Sequence, residues 1–297
     1  AWRKADEPAG LALIAANAVV YFAASYRLID AAHHQYMGLL AAGLGGIHLP
    51  LARRYEVRSD AQNFILGVAL AFLTLAVPIQ FVGFRITIAW AFEGAVLAWL
   101  SARSQNSWLR AGSWAVLTLV LLRLFAVDLS IYSRSSQYAT LANTRFLTFA
   151  ASTVALWLAA RFFPAPAEAA AAYIAGTVTL LFGLGLEIGG WVTRNVAPED
   201  QSGVQIIAIS VMLTVYAVLL VGIGVRTKTS IHRMVGLGLV ALVIAKLYLL
   251  DVWVLGRLFR ITAFLALGVL LLALSYLYSR FRPALARLLK ADSTRVH

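Results

Sequence analysis

The chain has 297 residues, 61% hydrophobic and 13% charged, with a mean hydropathy of +0.81 and a net charge of +12. A soluble domain is roughly half apolar and about a quarter charged, so a water-soluble globular fold is excluded. The absence of cysteine removes disulfides, iron–sulfur clusters and a cysteine nucleophile from consideration.

In chain order, the apolar runs predict ten spans at about 10–29, 35–52, 61–82, 85–102, 108–128, 145–163, 168–191, 204–225, 231–253 and 259–280. The runs are continuous rather than alternating, which makes them helices and not strands of a barrel. Most links are short. Two are expected to be longer: Leu129–Thr144, and Val192–Gly203 with its Pro198, Glu199 and Asp200. The chain opens on Ala1, as a processed or truncated chain would, and its first apolar run reads as a span rather than a signal peptide. The basic end, 282–297, is expected to lie on the membrane surface.

Cations fix the expected orientation. With both ends in the cytoplasm, 16 Lys and Arg residues fall on that side and 7 on the other, and Arg123 and Lys246 fall within spans. In a soluble protein the positive charge would suggest nucleic acid. Here it sits mainly in loops and is topological, so no nucleic-acid partner is expected. The expected location is a bacterial cytoplasmic membrane.

The spans repeat. Arg103, Arg110, Arg123 and Asp128 recur 123 residues later as Arg226, Arg233, Lys246 and Asp251. Past the first long link the offset falls to 115, where Arg145 and Phe149 match Arg260 and Phe264. Upstream, Phe64–Gly67 resembles Tyr173–Gly176. The expected fold is therefore an all-α polytopic transmembrane helix bundle with two parallel four-span repeats. An N-terminal two-span hairpin (1–60) precedes repeat A (61–166), repeat B (167–281) and the basic tail. An even number of spans per copy keeps both copies in one orientation.

The segment Ile88-Ala-Trp-Ala-Phe-Glu-Gly-Ala-Val-Leu-Ala-Trp99 resembles a signature of a family of bacterial multi-pass membrane proteins, domain of unknown function 2339. Arg233 through Lys246 and Asp251, Leu258–Phe264 and Leu274–Tyr278 are similar to its C-terminal block. The resemblance implies that the chain corresponds to the C-terminal portion of longer members. It also implies that Glu93, Lys246, Asp251 and Arg260 are recurrent features, and it implies no activity.

Charge inside a membrane is costly and usually faces a bundle interior, a partner or water. Glu93 lies mid-span and reads either as a packed, hydrogen-bonded acid or as a ligand or proton site. Arg123 and Lys246 lie in the outer third, where they read either as snorkelling to the outer interface or, with Arg145 and Arg260, as the groups that take an anion. Asp128 and Asp251 follow five residues later. Five α-helical steps turn roughly 140° past a full turn, so neither cation is expected to meet its own aspartate. Asp128–Arg145 and Asp251–Arg260 are expected to clamp the hairpins instead. Glu187 sits among glycines suited to close packing. Glu93, Arg123, Asp128, Arg145, Glu187, Lys246, Asp251 and Arg260 together are expected to converge in the outer half of the membrane, at one site shared between the copies.

Other polar residues carry less. His33 and His34 are adjacent, and His48 and His232 lack partners at ligand spacing, so no metal is expected. Asn17 reads as an interhelical hydrogen bond. Trp90, Trp99, Trp108, Trp191 and Trp253 read as an interfacial belt. No phosphate loop, nucleophile elbow or hydrolase motif is present, so neither a cofactor nor an enzymatic activity is expected. The leading functional reading is a membrane protein with an outward-facing polar cavity that binds or moves an anionic or amphiphilic envelope molecule among membrane lipids. The alternative is a structural or accessory subunit of a larger membrane complex, with protein partners and charge pairs that only lock the helices.

Overall fold

The computed structural model of the protein describes residues 8–56, 59–129, 139–247 and, beyond those, positions 261, 264, 265, 268, 269, 271, 272, 275 and 276. Among these residues every regular element is helical. The nine helices are α1 (Pro8–His33), α2 (Met37–Ala52), α3 (Asp60–Gln80), α4 (Phe84–Ser104), α5 (Ser107–Arg123), α6 (Thr144–Phe162), α7 (Pro166–Asn195), α8 (Gln201–Arg226) and α9 (Ser230–Lys246). A 3-10 turn, His34–Tyr36, separates α1 from α2, and a π turn, Leu124–Asp128, extends α5.

Six of these helices, α1, α3, α4, α5 together with its π turn (Ser107–Asp128), α7 and α8, are long and apolar enough to cross a bilayer. A span needs about 20 residues; α2 has 16, and α9 has 17 before the π winding at Leu247, where the continuous described stretch ends. The link after α7 is shorter than the sequence suggested. That helix runs on to Asn195, and α8 begins at Gln201, because the segment between the two spans continues the helix rather than forming a loop. Span ten and the basic tail fall largely or wholly outside the described residues.

Helix starts follow side-chain chemistry. Ser59 accepts from the Gln62 amide at 3.1 Å, Asn106 from those of Trp108 and Leu109 at 2.8 and 3.3 Å, and Asn143 from that of Phe146 at 2.8 Å. Each supplies an acceptor to a first-turn N–H that has none inside its helix. Gly83 (φ +61°, ψ −139°) makes the turn from α3 into α4, a conformation open almost only to glycine.

The chain divides into two compact units, Ala1–Gly183 and Leu184–His297, with the boundary inside α7. In the first unit α2 pairs with α3 through a stripe of small residues, Gly38, Ala41 and Gly45. A Cβ at Gly45 would stand 2.8 Å from the Ala69 carbonyl oxygen, whereas at Gly46 it would meet nothing within 4 Å. Close approach of this kind drives helix pairing in lipid, where tails are as apolar as leucine. Gly45→Ala is therefore expected to cost about 1–3 kcal/mol. Gly46→Ala should be neutral or stabilising by up to about 1 kcal/mol. Thermal unfolding in micelles compares the two, and equal melting temperatures would refute the packing argument.

The other half of the first unit is a core of α4, α5, α6 and the start of α7, centred on Ala91, Ala98, Leu117, Val120, Leu156, Ala159 and Ala172. The Ser113 hydroxyl donates to the Gly94 carbonyl at 2.8 Å, and Trp114 stacks on Phe163 at 5.0 Å between ring centroids. Phe125, Phe149 and Phe182 form an aromatic cluster. The Arg110 guanidinium lies 3.5 Å from Glu168. In the second unit α8 and α9 pack closely, with Gly236 against Val221 and the Ala217 carbonyl.

Candidate functional site

Thr74 and Pro78 lie four residues apart in α3. The carbonyl of Thr74 would ordinarily receive the amide of residue 78, but proline has none. Trp90 of α4 fills the gap, its indole N–H donating to the Thr74 carbonyl at 2.9 Å. Three residues on, on the same helical face, the Glu93 carboxylate accepts from the Thr74 hydroxyl at 2.7 Å. One α3 residue thus receives two α4 side chains, one on its backbone and one on its hydroxyl. The second Glu93 oxygen, Oε2, is buried and has no hydrogen-bond partner.

A pocket of about 500 Å³ opens beside this junction, lined by Thr74, Pro78 and Trp90 together with Leu70, Gly112 and Leu119. A second, of about 610 Å³, lies nearer the start of α3, where Leu11, Asn63 and Trp108 line it. Both include Gly67 and Ala71. Both pockets are mainly apolar, and together their lining residues on α3 run from Asp60 to Pro78.

A second polar cluster lies toward the start of α4. The Arg123 guanidinium donates to the Gly83 carbonyl at 3.1 Å and stands 3.9 Å from Asp128. Asp128 is 1% exposed and accepts from the Thr87 hydroxyl. Here the expectation that Arg123 and Asp128 face apart is overturned. Leu124–Asp128 is π-helical, and its hydrogen bonds run from i to i+5. Residues five apart are therefore stacked, as residues four apart are in an α-helix. Asp128 makes its ion pair with Arg123 rather than with Arg145, which opens α6. Thr87 and Glu93 are six residues apart on α4, so the two clusters are separated by about 9 Å of rise.

Of the remaining candidates, Glu187 is 2% exposed in α7, and Lys246 at the end of α9 donates to the Ser210 hydroxyl on α8 at 2.8 Å. Both belong to the second unit. Asp251 and Arg260 lie outside the described residues. No group of three His, Cys, Asp or Glu suited to a metal occurs among the described residues. His48 is held by the Leu44 carbonyl at 2.7 Å and stacks on Phe72, and His34 lies 2.5 Å from Asp30. Asn17 is exposed on α1 rather than bonded between helices, because its side chain falls on that helix's outer face. Trp90 is a bonding partner of α3 through its indole N–H. Thr74 and Thr87, which hold the two carboxylates, carried no charge signal to mark them. The signal for Thr74 was the proline four residues later.

A family model described as "Predicted membrane protein (DUF2339)" matches residues 117–281. That stretch includes Arg123, Asp128 and the whole C-terminal block, and it stops short of Ile88–Trp99. No curated protein and no solved structure matches the chain.

Proposed function

The chain belongs to the DUF2339 family of predicted membrane proteins, and on that premise we propose that it binds an amphiphilic molecule of the envelope. It would be multi-pass in a bacterial cytoplasmic membrane, with both ends in the cytoplasm. The cation excess on one side supports that orientation. The two-copy organisation, with ten spans in all, is supported by α5 and α9. These helices have 17 residues each, begin and end 123 positions apart, and both lead into π winding, at Leu124 and Leu247.

One observation carries the functional reading: the pocket beside α3 is apolar over most of its lining and polar at Thr74, the residue that bonds Trp90 and Glu93. The apolar body of an amphiphile would lie along Gly67, Leu70 and Ala71, and its polar part would lie beside Thr74. Sites for small organic molecules have this make-up, mostly apolar with a few placed polar groups.

Gly112→Leu tests it. A Cβ there would already stand 2.5 Å from the end of Leu70, so a leucine fills the pocket. Wild-type protein extracted in mild detergent is expected to retain an amphiphile in native mass spectra, and the variant to lose it while melting within a few degrees of wild type. Equal retention would refute the reading. A stoichiometric protein partner in place of the amphiphile would support the accessory-subunit alternative.

A further inference from the structure

We propose that the pocket at the start of α3 binds an uncharged acyl ester of glycerol, held through the Asn63 side chain. This site is separate from the one at Thr74 and does not depend on it.

Asn106 fixes what Asn63 can offer. The Asn106 oxygen accepts from the first-turn amides of α5, at 2.8 Å from Trp108 and 3.3 Å from Leu109. Its NH2 is therefore the group turned to α3, and it donates to the Asn63 oxygen at 3.0 Å. The reverse assignment fails, since an NH2 cannot accept from the α5 backbone. Asn63 thus has its oxygen occupied and its NH2 left without an acceptor. Asn63 is 6% exposed, and its NH2 is not among the unpartnered atoms sealed from solvent. The small surface that Asn63 keeps therefore includes that NH2, on a residue that lines a pocket of about 610 Å³. A donor so nearly buried calls for an acceptor.

The rest of the lining selects the acceptor. Leu11, Gly67 and Ala71 form apolar walls, and Trp108 adds an indole ring. Among the described residues no Lys or Arg lines this pocket, whereas Asp60 does. A carboxylate or phosphate would meet a like charge there and no cation. An uncharged carbonyl is the acceptor that suits a neutral amide donor. Asp60 precedes Asn63 by three residues, on the same face of α3, and sets an acceptor beside the donor. A glycerol ester with a free hydroxyl matches both: its carbonyl accepts from Asn63, and its hydroxyl donates to Asp60. Depth agrees with this class. α3 and α5 begin at Asp60 and Ser107, and α4 runs back between them, so both start on one side of the bilayer. α3 has 21 residues, about one hydrocarbon thickness. Asn63 and Trp108 therefore lie at the edge of that layer, the boundary between headgroups and acyl chains, where an ester belongs. The acyl chain would run inward along Gly67 and Ala71, and the volume is that of a site for a small organic molecule.

The test uses the full chain in dodecylmaltoside micelles, with empty micelles as the baseline. Three probes with the same chain are titrated, and bound probe is read from native mass spectra: monooleoylglycerol, the oleyl ether of glycerol, which lacks the carbonyl, and oleate. The wild type is expected to bind the ester saturably and about tenfold more tightly than the ether or oleate, the effect of one buried hydrogen bond. Asn63→Asp keeps an oxygen for Asn106 and removes the donor. It should bring the ester down to the level of the ether and leave ether binding unchanged, which also shows that the variant is folded. Ala12 is exposed and lines this pocket but not the one at Thr74, so Ala12→Phe should abolish saturable binding of both glycerol probes. Gly112→Leu, which fills the pocket at Thr74, should leave the ester's advantage intact. Equal binding of ester and ether by the wild type, tighter binding of oleate, or an ester advantage that survives Asn63→Asp would overturn the proposal. Undiminished binding by Ala12→Phe, or loss of the advantage in Gly112→Leu, would overturn it as well. Amphiphile retention at Thr74 is decided separately, by comparing the wild type with Gly112→Leu.

Discussion

Asp128→Leu is expected to destabilise the protein by about 3–5 kcal/mol, more than the double variant Arg123→Leu/Asp128→Leu. The reasoning is electrostatic. Asp128 is 1% exposed and Arg123 is 19% exposed, and the aspartate also takes the Thr87 hydroxyl. Both charges have left water, and each makes the other tolerable. Removing one partner strands the other, which is the expensive event, whereas replacing a buried pair with apolar residues of similar volume is often close to neutral. The Gly83 carbonyl is not enough to compensate a guanidinium by itself, since it supplies one neutral acceptor for five donors. The measurement is reversible unfolding in micelles of the wild type, both single variants and the double. Additive single-variant losses would show that the two residues do not act as a pair.

Trp90→Phe is expected to cost about 1–3 kcal/mol, the range for a buried acceptor left without its donor, and Pro78→Ala should return most of it. In the wild type the Thr74 carbonyl depends on the indole because position 78 has no amide. Trp90→Phe keeps an aromatic ring and removes only that donor and part of the bulk. Alanine at position 78 restores an amide one turn after Thr74, so the helix can close its own hydrogen bond. Pro78→Ala alone should then be near neutral, and the two changes together should cost less than Trp90→Phe alone. The same unfolding assay decides. If the double variant is no more stable than Trp90→Phe, the indole is a packing element and the carbonyl does not need it.

These two sites also show what the sequence could and could not yield. The helices were legible because lipid forces every backbone group to be satisfied within the segment, so length and apolarity define a span. Residues such as Asn143 and Ser59 mark where helices begin. The Arg123–Asp128 contact was not legible, because reading the angle between residues five apart presupposes α-helical winding, and one π turn reverses the answer. Thr74 was legible in principle. A proline inside a span leaves a carbonyl unsatisfied four residues earlier, and an indole on the next helix is an obvious donor. Thr87 was not, since a threonine in an apolar run ordinarily bonds its own helix, as Thr148 does with the Thr144 carbonyl at 2.7 Å. Glu93 was singled out by charge alone. Its unequal oxygens, one held by Thr74 and one left over, depend on how α3 and α4 meet, and residue spacing carries no record of that.

The winding at Leu124–Asp128 has one more implication. A π turn accommodates a residue that an α turn would not, so it behaves as a one-residue insertion absorbed without a loop. A descendant chain that dropped that residue would bring Arg and Asp to a four-residue interval, where ordinary α geometry stacks them just as well. The bond would outlive the deletion, while everything after it on that helix would be rotated by about 100°. The lock therefore leaves evolution free to re-aim the C-terminal end of this helix in single-residue steps without ever exposing an unmatched charge to lipid.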